Sequence, residues 1–187
     1  MSFSSEIKQE LSAHVPPARH CRLAEMAAIL NFCSRVESVE GESPCVKMHT
    51  ENLAVARKYF TLLRKTFNIE MNVSTRQSRN PRGSLSYEVT SFGGLEPVKH
   101  MLVQNQCCRR AYIRGAFLAS GSLSDPEKGY HFEIVCSGEE KADELREMLA
   151  SFGIDARITL RKRSYVLYVK EGSQIADLLN VMEAHVA

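Results

Sequence analysis

The pattern of hydrophobic and polar positions in this chain repeats itself 87 residues further along. Met26 to Ser34 has the sequence MAAILNFCS and falls on Ile113 to Gly121, which has the sequence IRGAFLASG. Both segments are apolar on most sides, carry small residues at corresponding places, and follow a Cys-Arg pair (Cys21-Arg22 and Cys108-Arg109). The pattern predicts two equivalent apolar helices and indicates that one structural unit was used twice.

After each apolar helix the patterns predict two strands, an amphipathic helix, two more strands and a closing helix. In the first unit, Thr50 would cap a helix over Glu51–Phe67. Its buried stripe would comprise Leu53, Ala56, Phe60, Leu63 and Phe67. In the second unit, a capping box at 137–140 would open the equivalent helix. The strand after it would bury Ile154, Ala156, Ile158 and Leu160.

We therefore predict an α+β fold with antiparallel sheets, in which an αββαββα unit occurs twice about a pseudo-two-fold axis. Residues 1–19 would form a leading helix and lead-in, 20–105 the first repeat and 106–187 the second. No Gly/Ser linker separates the halves, which favours one domain over two loose ones. The two apolar helices would form a seam, or else serve as ordinary core helices within each half. Small residues would allow the seam helices to approach closely: Ala27, Ala28, Gly115 and Ala116.

The bulk composition, with 187 residues, 44% hydrophobic and 25% charged, is typical of one soluble domain. No apolar run approaches the roughly 18 residues of a membrane span, and the N-terminus lacks the features of a signal peptide. We expect a cytoplasmic protein that does not bind membranes. Nucleotide-binding and metalloprotease motifs are absent, so neither a cofactor nor a small-molecule substrate is expected.

Six cysteines could form disulfides or bind a metal. Without a secretion signal, disulfides are not expected. No C-x-x-C pair occurs, so the sequence signal for zinc is poor. Cys107-Cys108 is a vicinal pair and His20 adjoins Cys21, but a second metal-type pair would have to come from tertiary structure. We expect free thiols and no bound metal.

The net charge is only +2, but two short segments carry bases and no acid. One runs from Asn72 to Tyr87 and holds three arginines, and the other runs from Ala156 to Lys170 and holds five bases. Because these runs fall on predicted strands, they indicate basic hairpins rather than disordered tails. A pseudo-two-fold shape also suits duplex DNA, which has local two-folds of its own.

Several features resemble the bacterial WhiA regulators, a branch of the LAGLIDADG homing-endonuclease scaffold. They are the opening SFSSEIKQEL, the repeated Cys-Arg pairs, CCRRAYIRGAFLASGSLSDPEKGYHFEI at 107–134 and the hairpin after it. The resemblance covers essentially the whole chain and implies a LAGLIDADG-type duplicated fold. WhiA proteins normally continue into a C-terminal helix-turn-helix domain, so we expect this chain to be a fragment without it.

In active enzymes of this scaffold, each seam helix ends in an acidic residue that helps to hold divalent metal over the scissile phosphates. Mg²⁺ demands hard oxygen ligands, which carboxylates supply. The corresponding positions in this sequence are Cys33 and Ser120. A thiol is the wrong ligand and a neutral hydroxyl a weak one, so the resemblance implies a degenerate site without catalytic residues or nuclease activity.

The resemblance also implies a saddle whose outward side chains face the DNA major groove. In repeat two, the side chains that face the DNA would include Val166 together with the basic residues of the strands. The bases at the hairpin tips would contact phosphates. The alternative is that these residues are ordinary solvated charges, and a register slip of one residue would invert the set. The candidate DNA-binding residues are Arg76, Arg79, Arg82, Arg157, Thr159, Arg161, Lys162, Arg163, Tyr168 and Lys170.

Together these features predict a catalytically inactive DNA-binding regulator of transcription. The resemblance adds a link to cell division, chromosome segregation or sporulation, a nucleoid-associated location, and another transcription regulator as a partner. One alternative is a protein-docking module in which the missing helix-turn-helix domain recognises DNA. A third hypothesis, a residual nuclease, predicts metal-dependent nicking.

Overall fold

The computed structural model describes residues 2–37, 45–67, 71–77, 85–92, 95–99 and 101–185. Helix α1 (Phe3–Ala13) leads into two copies of one unit. The first comprises α2 (Arg19–Cys33), β1 (Ser34–Glu37), β2 (Cys45–Thr50), α3 (Leu53–Thr66), β3 (Met71–Gln77), β4 (Leu85–Phe92) and α4 (Glu96–Lys99). The second comprises α5 (Gln106–Ser120), β5 (Gly121–Leu123), β6 (Phe132–Cys136), α6 (Glu139–Ala150), β7 (Arg157–Arg161), β8 (Ser164–Val169) and α7 (Gly172–Met182).

Each repeat forms a four-stranded antiparallel sheet with the same strand order. The orders are β1-β2-β4-β3 and β5-β6-β8-β7. The offset of 87 residues carries Ser34, the first residue of β1, onto Gly121 of β5. It likewise carries Cys45 of β2 onto Phe132 of β6. The predicted α+β class and duplicated αββαββα order are therefore confirmed.

Helices α2 and α5 pack against each other more extensively than any other two elements of the described chain. A Cβ atom added at Gly115 would overlap the backbone carbonyl oxygen of Glu25 and lie 2.9 Å from the Cβ of Ala28. Only glycine permits so close an approach of two helix backbones. Ala27 and Ala116 are buried in the same core. Of the four small residues predicted for the seam, Gly115 and Ala28 thus lie where the two helices meet, and a seam position for Ala27 and Ala116 stays a prediction.

The hydrophobic core continues from one repeat into the other. Leu30 and Tyr59 of the first half belong to the same cluster as Phe117 and Phe132 of the second. The rings of Phe117 and Phe132 stack with their centroids 5.3 Å apart. Because the core is shared, neither half buries its apolar surface without the other. No described helix has the length and apolarity that crossing a membrane requires.

Helix α1 joins the N-terminus of the chain to the second repeat. It buries Ile7 and Leu11 in the shared core. The Ser4 hydroxyl accepts a hydrogen bond of 2.6 Å from the Leu123 amide and donates one of 2.7 Å to the Leu123 carbonyl oxygen. These bonds fasten α1 to β5, which lies at the edge of its sheet.

The start and buried stripe of α3 differ from the prediction. The N-cap is Asn52, whose side chain accepts hydrogen bonds from the amides of Ala54 and Val55. Thr50 instead belongs to β2. Leu53, predicted to be buried, is 40% exposed, and the buried stripe is broader than predicted, although it keeps Ala56 and Leu63. That stripe comprises Val55, Ala56, Lys58, Tyr59, Leu62 and Leu63.

Other local predictions were also wrong. The capping box at 137–140 does not form, because Gly138 is the N-cap of α6 and no side chain caps it. The helix predicted near 97–103 is the four-residue α4. Leu160 is 62% exposed because it lies next to the hairpin tip, beyond the core. Val166 is only 2% exposed, because β8 is an inner strand and Val166 lies between Val135 and Thr159.

Candidate nucleic-acid interface

The β7–β8 hairpin presents its basic residues on the sheet face that points away from the helices. Arg157 pairs with Tyr168, and Thr159 with Val166. The side chains of Arg157, Thr159 and Arg161 are exposed. On the opposite face, residues such as Leu167 and Val169 are buried in the core. Alternation along paired strands therefore gathers the predicted bases on one side.

The tip of this hairpin is a two-residue turn of two exposed bases, Lys162 and Arg163, because Arg161 pairs with Ser164. Lys162 has a φ of 58°. A positive φ favours glycine or asparagine, and it is uncommon for lysine. The tip therefore carries a positively charged lysine at a position where glycine or asparagine would remove the backbone strain.

Tyr168 lies between two potentially cationic side chains on the same face. Its ring stacks on His131 with centroids 6.1 Å apart and an interplanar angle of 17°. The Lys170 ammonium nitrogen lies 5.5 Å from the centroid of the Tyr168 ring, which is a cation–π distance. These contacts hold Lys170 at the base of the hairpin, beside Arg157 on the neighbouring strand.

An acid that sequence analysis missed lies on this basic face. Glu133 of β6 accepts hydrogen bonds of 3.2 and 3.1 Å from the two Nη atoms of Arg161. Its Oε2 also lies 2.9 Å from Nε2 of His131. The hydrogen bonds from Arg161 hold the pKa of Glu133 below its usual value. Glu133 is therefore ionised at neutral pH and neutralises part of the charge on this face.

The equivalent face in repeat one is more mixed. Arg76 lies on β3 opposite Ser86, and Ser74 lies opposite Glu88. Ser74 is exposed, whereas Glu88 is buried within the sheet. The predicted contact residues Arg79 and Arg82 lie outside the described residues. The described part of this hairpin thus places the acid Glu88 opposite Ser74, two residues along β3 from the predicted base Arg76.

Cys33 and Ser120 are the last residues of the two seam helices and are equivalent under the 87-residue offset. The Cys33 thiol donates a hydrogen bond of 3.2 Å to the carbonyl oxygen of Ile29. The Ser120 hydroxyl donates one of 2.8 Å to the carbonyl oxygen of Val135. Burial raises the pKa of Cys33 to about 12, so its thiol is neutral at physiological pH. Neither residue is the charged oxygen ligand that Mg²⁺ prefers.

Three charged side chains that sequence analysis did not single out are buried beside the seam. Arg114 of α5 donates to both carboxylate oxygens of Glu25 of α2, over 3.1 and 3.0 Å. Lys58 of α3 forms an ion pair with Glu25 and donates a 2.7 Å hydrogen bond to the Leu11 carbonyl oxygen. Arg114 also reaches Glu183, after α7, at 2.9 Å. Burial lowers the pKa of Lys58, although Glu25 opposes that shift.

Comparison with known proteins identifies close relatives. Residues 19–98 match a family described as the WhiA N-terminal LAGLIDADG-like domain, and residues 109–187 match the WhiA LAGLIDADG-like domain. "Probable cell division protein WhiA" of Lachnoclostridium phytofermentans is 48% identical over 206 residues, which cover 99% of this chain. The protein of the same name from Alkaliphilus oremlandii is 43% identical over 212 residues, which cover 100%. The chain spans 66% of the length of each.

Solved structures share the fold at low sequence identity. The crystal structure of full-length DUF199/WhiA from Thermatoga maritima superposes with a TM-score of 0.84 at 21% identity, covering 97% of this chain and 62% of that one. The crystal structure of I-DmoI in complex with DNA and Mn gives a TM-score of 0.68 at 13% identity. That match covers 90% of this chain and 100% of I-DmoI. The architecture is thus that of a LAGLIDADG homing endonuclease.

Proposed function

Since this chain belongs to the WhiA family, we propose that it is a catalytically inactive DNA-binding regulator of transcription. The observation that carries the proposal is the exposed basic face of the β7–β8 hairpin. The link to cell division rests on the name of its relatives. We extend the proposal to chromosome segregation or sporulation, to a cytoplasmic, nucleoid-associated location, and to another transcription regulator as a second partner.

The hairpin offers two kinds of contact to a DNA duplex. Arg157 and Thr159 extend from the strand face, where side chains can reach base edges. Lys162 and Arg163 at the tip, with Lys170 at the base, suit phosphate contacts. The strained backbone of Lys162 supports this assignment, because such strain persists where a residue serves a function. The solved structure of I-DmoI in complex with DNA and Mn, a protein of this fold, further supports the proposal.

The proposed lack of catalysis rests on Cys33 and Ser120. Hydrolysis with divalent metals needs ligands that hold the ions over the scissile phosphate. At both seam-helix ends the side chain is uncharged and donates a hydrogen bond to a backbone carbonyl oxygen. Supercoiled plasmid incubated with the chain and Mg²⁺ or Mn²⁺ should therefore stay intact, and metal-dependent nicking would contradict the proposal.

We propose the same division of the chain as above, with a lead-in at 1–19 and repeats at 20–105 and 106–187. In a longer WhiA protein, a C-terminal helix-turn-helix domain would share DNA recognition with these repeats. The basic hairpin would then add affinity and orientation to the sequence recognition of that domain.

Duplex binding measured by fluorescence anisotropy at two salt concentrations tests the proposal. Binding should weaken steeply as salt rises, because neutralising phosphates releases counterions. Replacing Arg163 and Lys170 together with alanine should reduce the salt slope by about 2, since each phosphate contact contributes about 1. The matched control replaces Lys141 and Arg146 of α6, a helix that packs against β7 and β8 on the helix-covered side of the sheet, and should leave the slope unchanged.

The alternative function is a docking surface for another protein. It is favoured by Glu133, which pairs with Arg161 and His131 and makes the face mixed in charge. If the chain binds no duplex at low salt, the proposal that this domain contacts DNA is wrong. The helix-turn-helix domain of the longer relatives would then recognise DNA, and the β7–β8 face would bind another protein.

A further inference from the structure

The N-terminal ends of the seam helices bring one histidine and three cysteines together. His20 and Cys21 are the second and third residues of α2, and Cys107 and Cys108 are the second and third residues of α5. The 87-residue offset carries His20 onto Cys107 and Cys21 onto Cys108. The cluster is thus built from the same two positions of each repeat and lies across the seam.

The spacing of the four ligand atoms is that of a tetrahedral metal site. Nδ1 of His20 lies 3.2 Å from Sγ of Cys108, 3.5 Å from Sγ of Cys21 and 3.8 Å from Sγ of Cys107. All four ligand atoms lie within 4.8 Å of one another. Zinc bonds of about 2.1 Å to nitrogen and 2.3 Å to sulfur place tetrahedral ligands about 3.5 to 3.8 Å apart. Small side-chain adjustments would therefore complete the geometry.

We propose that His20, Cys21, Cys107 and Cys108 bind one Zn²⁺ in a structural Cys₃His site. Three thiolates and an imidazole form a donor set that zinc favours, and four protein ligands fill its tetrahedral shell. Binding would release the three thiol protons to solvent without any change in oxidation state.

Exposure of the cluster allows a metal ion to enter. Cys21 and Cys108 are buried, whereas His20 and Cys107 are exposed. Two ligands would thus hold the ion against the protein while the other two close over it from the solvent side. Among the described residues, this is the only group of three or more histidine, cysteine or acidic side chains with such spacing.

The packing around the cluster gives the proposed ion a structural role. This end of the seam is held by a separate small cluster comprising Cys21, Ala24, Cys108 and Ala111. Such small side chains bury little apolar area, so they stabilise the contact weakly. A zinc ion bridging α2 and α5 would hold the two repeats together at the end of the seam that this small cluster occupies.

The sequence alone predicts no metal site, because each half contributes only one vicinal pair. Neighbouring residues on a helix diverge by about 100°, so neither pair forms a binding motif alone. The facing helix supplies the second pair. The 87-residue repeat was the available signal, since it aligns the two pairs at equivalent positions.

This inference goes beyond the proposed function and does not depend on it. The cluster lies at the N-termini of α2 and α5, whereas Cys33 and Ser120 lie at their C-termini. A 15-residue helix separates these ends by about 22 Å. A failure to bind zinc would leave the DNA proposal intact, and a failure to bind DNA would leave the zinc proposal intact.

Metal titration of the 187-residue chain, without a histidine tag and with its thiols reduced, tests the proposal. We expect one equivalent of tightly bound zinc by elemental analysis. The metal-free chain should bind Co²⁺ with the visible bands of tetrahedral coordination and the near-ultraviolet bands of thiolate ligands, and Zn²⁺ should displace them. Cys107→Ser should lower zinc affinity at least about 100-fold, because even outer-shell changes cost 10- to 100-fold. Cys45→Ser, a cysteine outside the cluster, should match the parent chain.

Three outcomes would overturn the proposal. The first is less than a tenth of an equivalent of zinc together with no Co²⁺ spectrum. The second is zinc affinity that Cys107→Ser leaves unchanged. The third is a disulfide between the cluster cysteines that forms readily in a chain with no affinity for zinc. Because Cys107 is exposed, circular dichroism should show that its serine variant stays folded.

Discussion

At the scale of single residues, Glu133 controls how much positive charge the β7–β8 hairpin offers. It holds the Arg161 guanidinium through two hydrogen bonds. Glu133→Gln keeps the shape of the side chain and removes its charge, so Arg161 becomes available to a polyanion. We expect duplex affinity to rise about 3- to 10-fold at low salt, with a salt slope steeper by about 1.

The matched control for this change is Glu144→Gln. Glu144 is also an acid beside a base, Lys141, but it lies on α6, which covers the opposite side of the sheet from the basic face. Its replacement should leave duplex affinity unchanged. Weaker binding by the Glu133 variant, measured by anisotropy at both salt concentrations, would contradict the assignment of this face as the DNA contact.

Individual exposed residues were easier to predict than their partners. The outward direction of Arg157, Thr159 and Arg161 follows from alternation along one strand, which the sequence displays directly. The pairing of Arg161 with Glu133 depends on the register of three strands, and distant segments of the chain set that register. The acid-free run identified in the sequence starts after Glu133, so that acid stayed outside the predicted site.

At the scale of secondary-structure elements, the α2–α5 seam depends on Gly115. Gly115→Ala would place a methyl group against the carbonyl oxygen of Glu25, which belongs to the backbone and can move only with its helix. We expect the free energy of unfolding to fall by about 1–3 kcal/mol, as for other overpacked sites. Urea unfolding followed by circular dichroism would measure it.

Gly138→Ser is the control, because a Cβ at Gly138 meets no atom within 4 Å. Serine is also a good N-cap residue, so this variant should keep or slightly raise the stability of the parent. Equal free energies of unfolding for the Gly115 and Gly138 variants would contradict this prediction. They would show that α2 and α5 can move apart to accommodate the added methyl group without loss of stability.

The order of elements was predictable, whereas the details of their ends were not. Apolar runs and alternation identify each helix and strand without tertiary information. The start of α3 depends on whether Thr50 or Asn52 provides the cap, and both residue types suit that position. Pairing of Thr50 within β2 leaves Asn52 as the cap, so the helix begins two residues later than predicted.

At the scale of the whole molecule, buried charges join helices from both repeats. Glu25 faces both Arg114 and Lys58, so Glu25→Gln would remove the carboxylate partner of Lys58 and leave Arg114 with Glu183 alone. We expect a loss of about 3–5 kcal/mol in the free energy of unfolding. Lys58→Met should cost less, because Glu25 keeps both of its hydrogen bonds from Arg114.

Urea unfolding of the two single variants and their double variant would measure the coupling between Glu25 and Lys58. The double variant should be less destabilised than the sum of the single variants, since it removes both members of the pair. If Lys58→Met lowered the free energy of unfolding as much as Glu25→Gln, the prediction would be wrong. Lys58 would then contribute as much to the stability of the charge network as Glu25.

The duplicated fold and its seam were predictable because they leave a repeat in the sequence. The charge network was not, because it departs from that repeat. Under the 87-residue offset, Glu25 falls on Tyr112 and Arg114 falls on Ala27. Neither half contains an internal copy of the pair, so only the packed molecule shows that these charges meet.

The hydrogen bonds between Ser4 and Leu123 have a consequence for the synthesis of the protein on the ribosome. Their sequence separation is 119 residues, and a ribosome adds roughly 5–20 residues per second. The N-terminal helix therefore waits roughly 6–24 s during translation before its docking strand has even been made. Throughout that interval Ile7 and Leu11 lack part of their final surroundings. The nascent first half therefore exposes apolar surface until the second half is synthesised, and such surface is prone to aggregation.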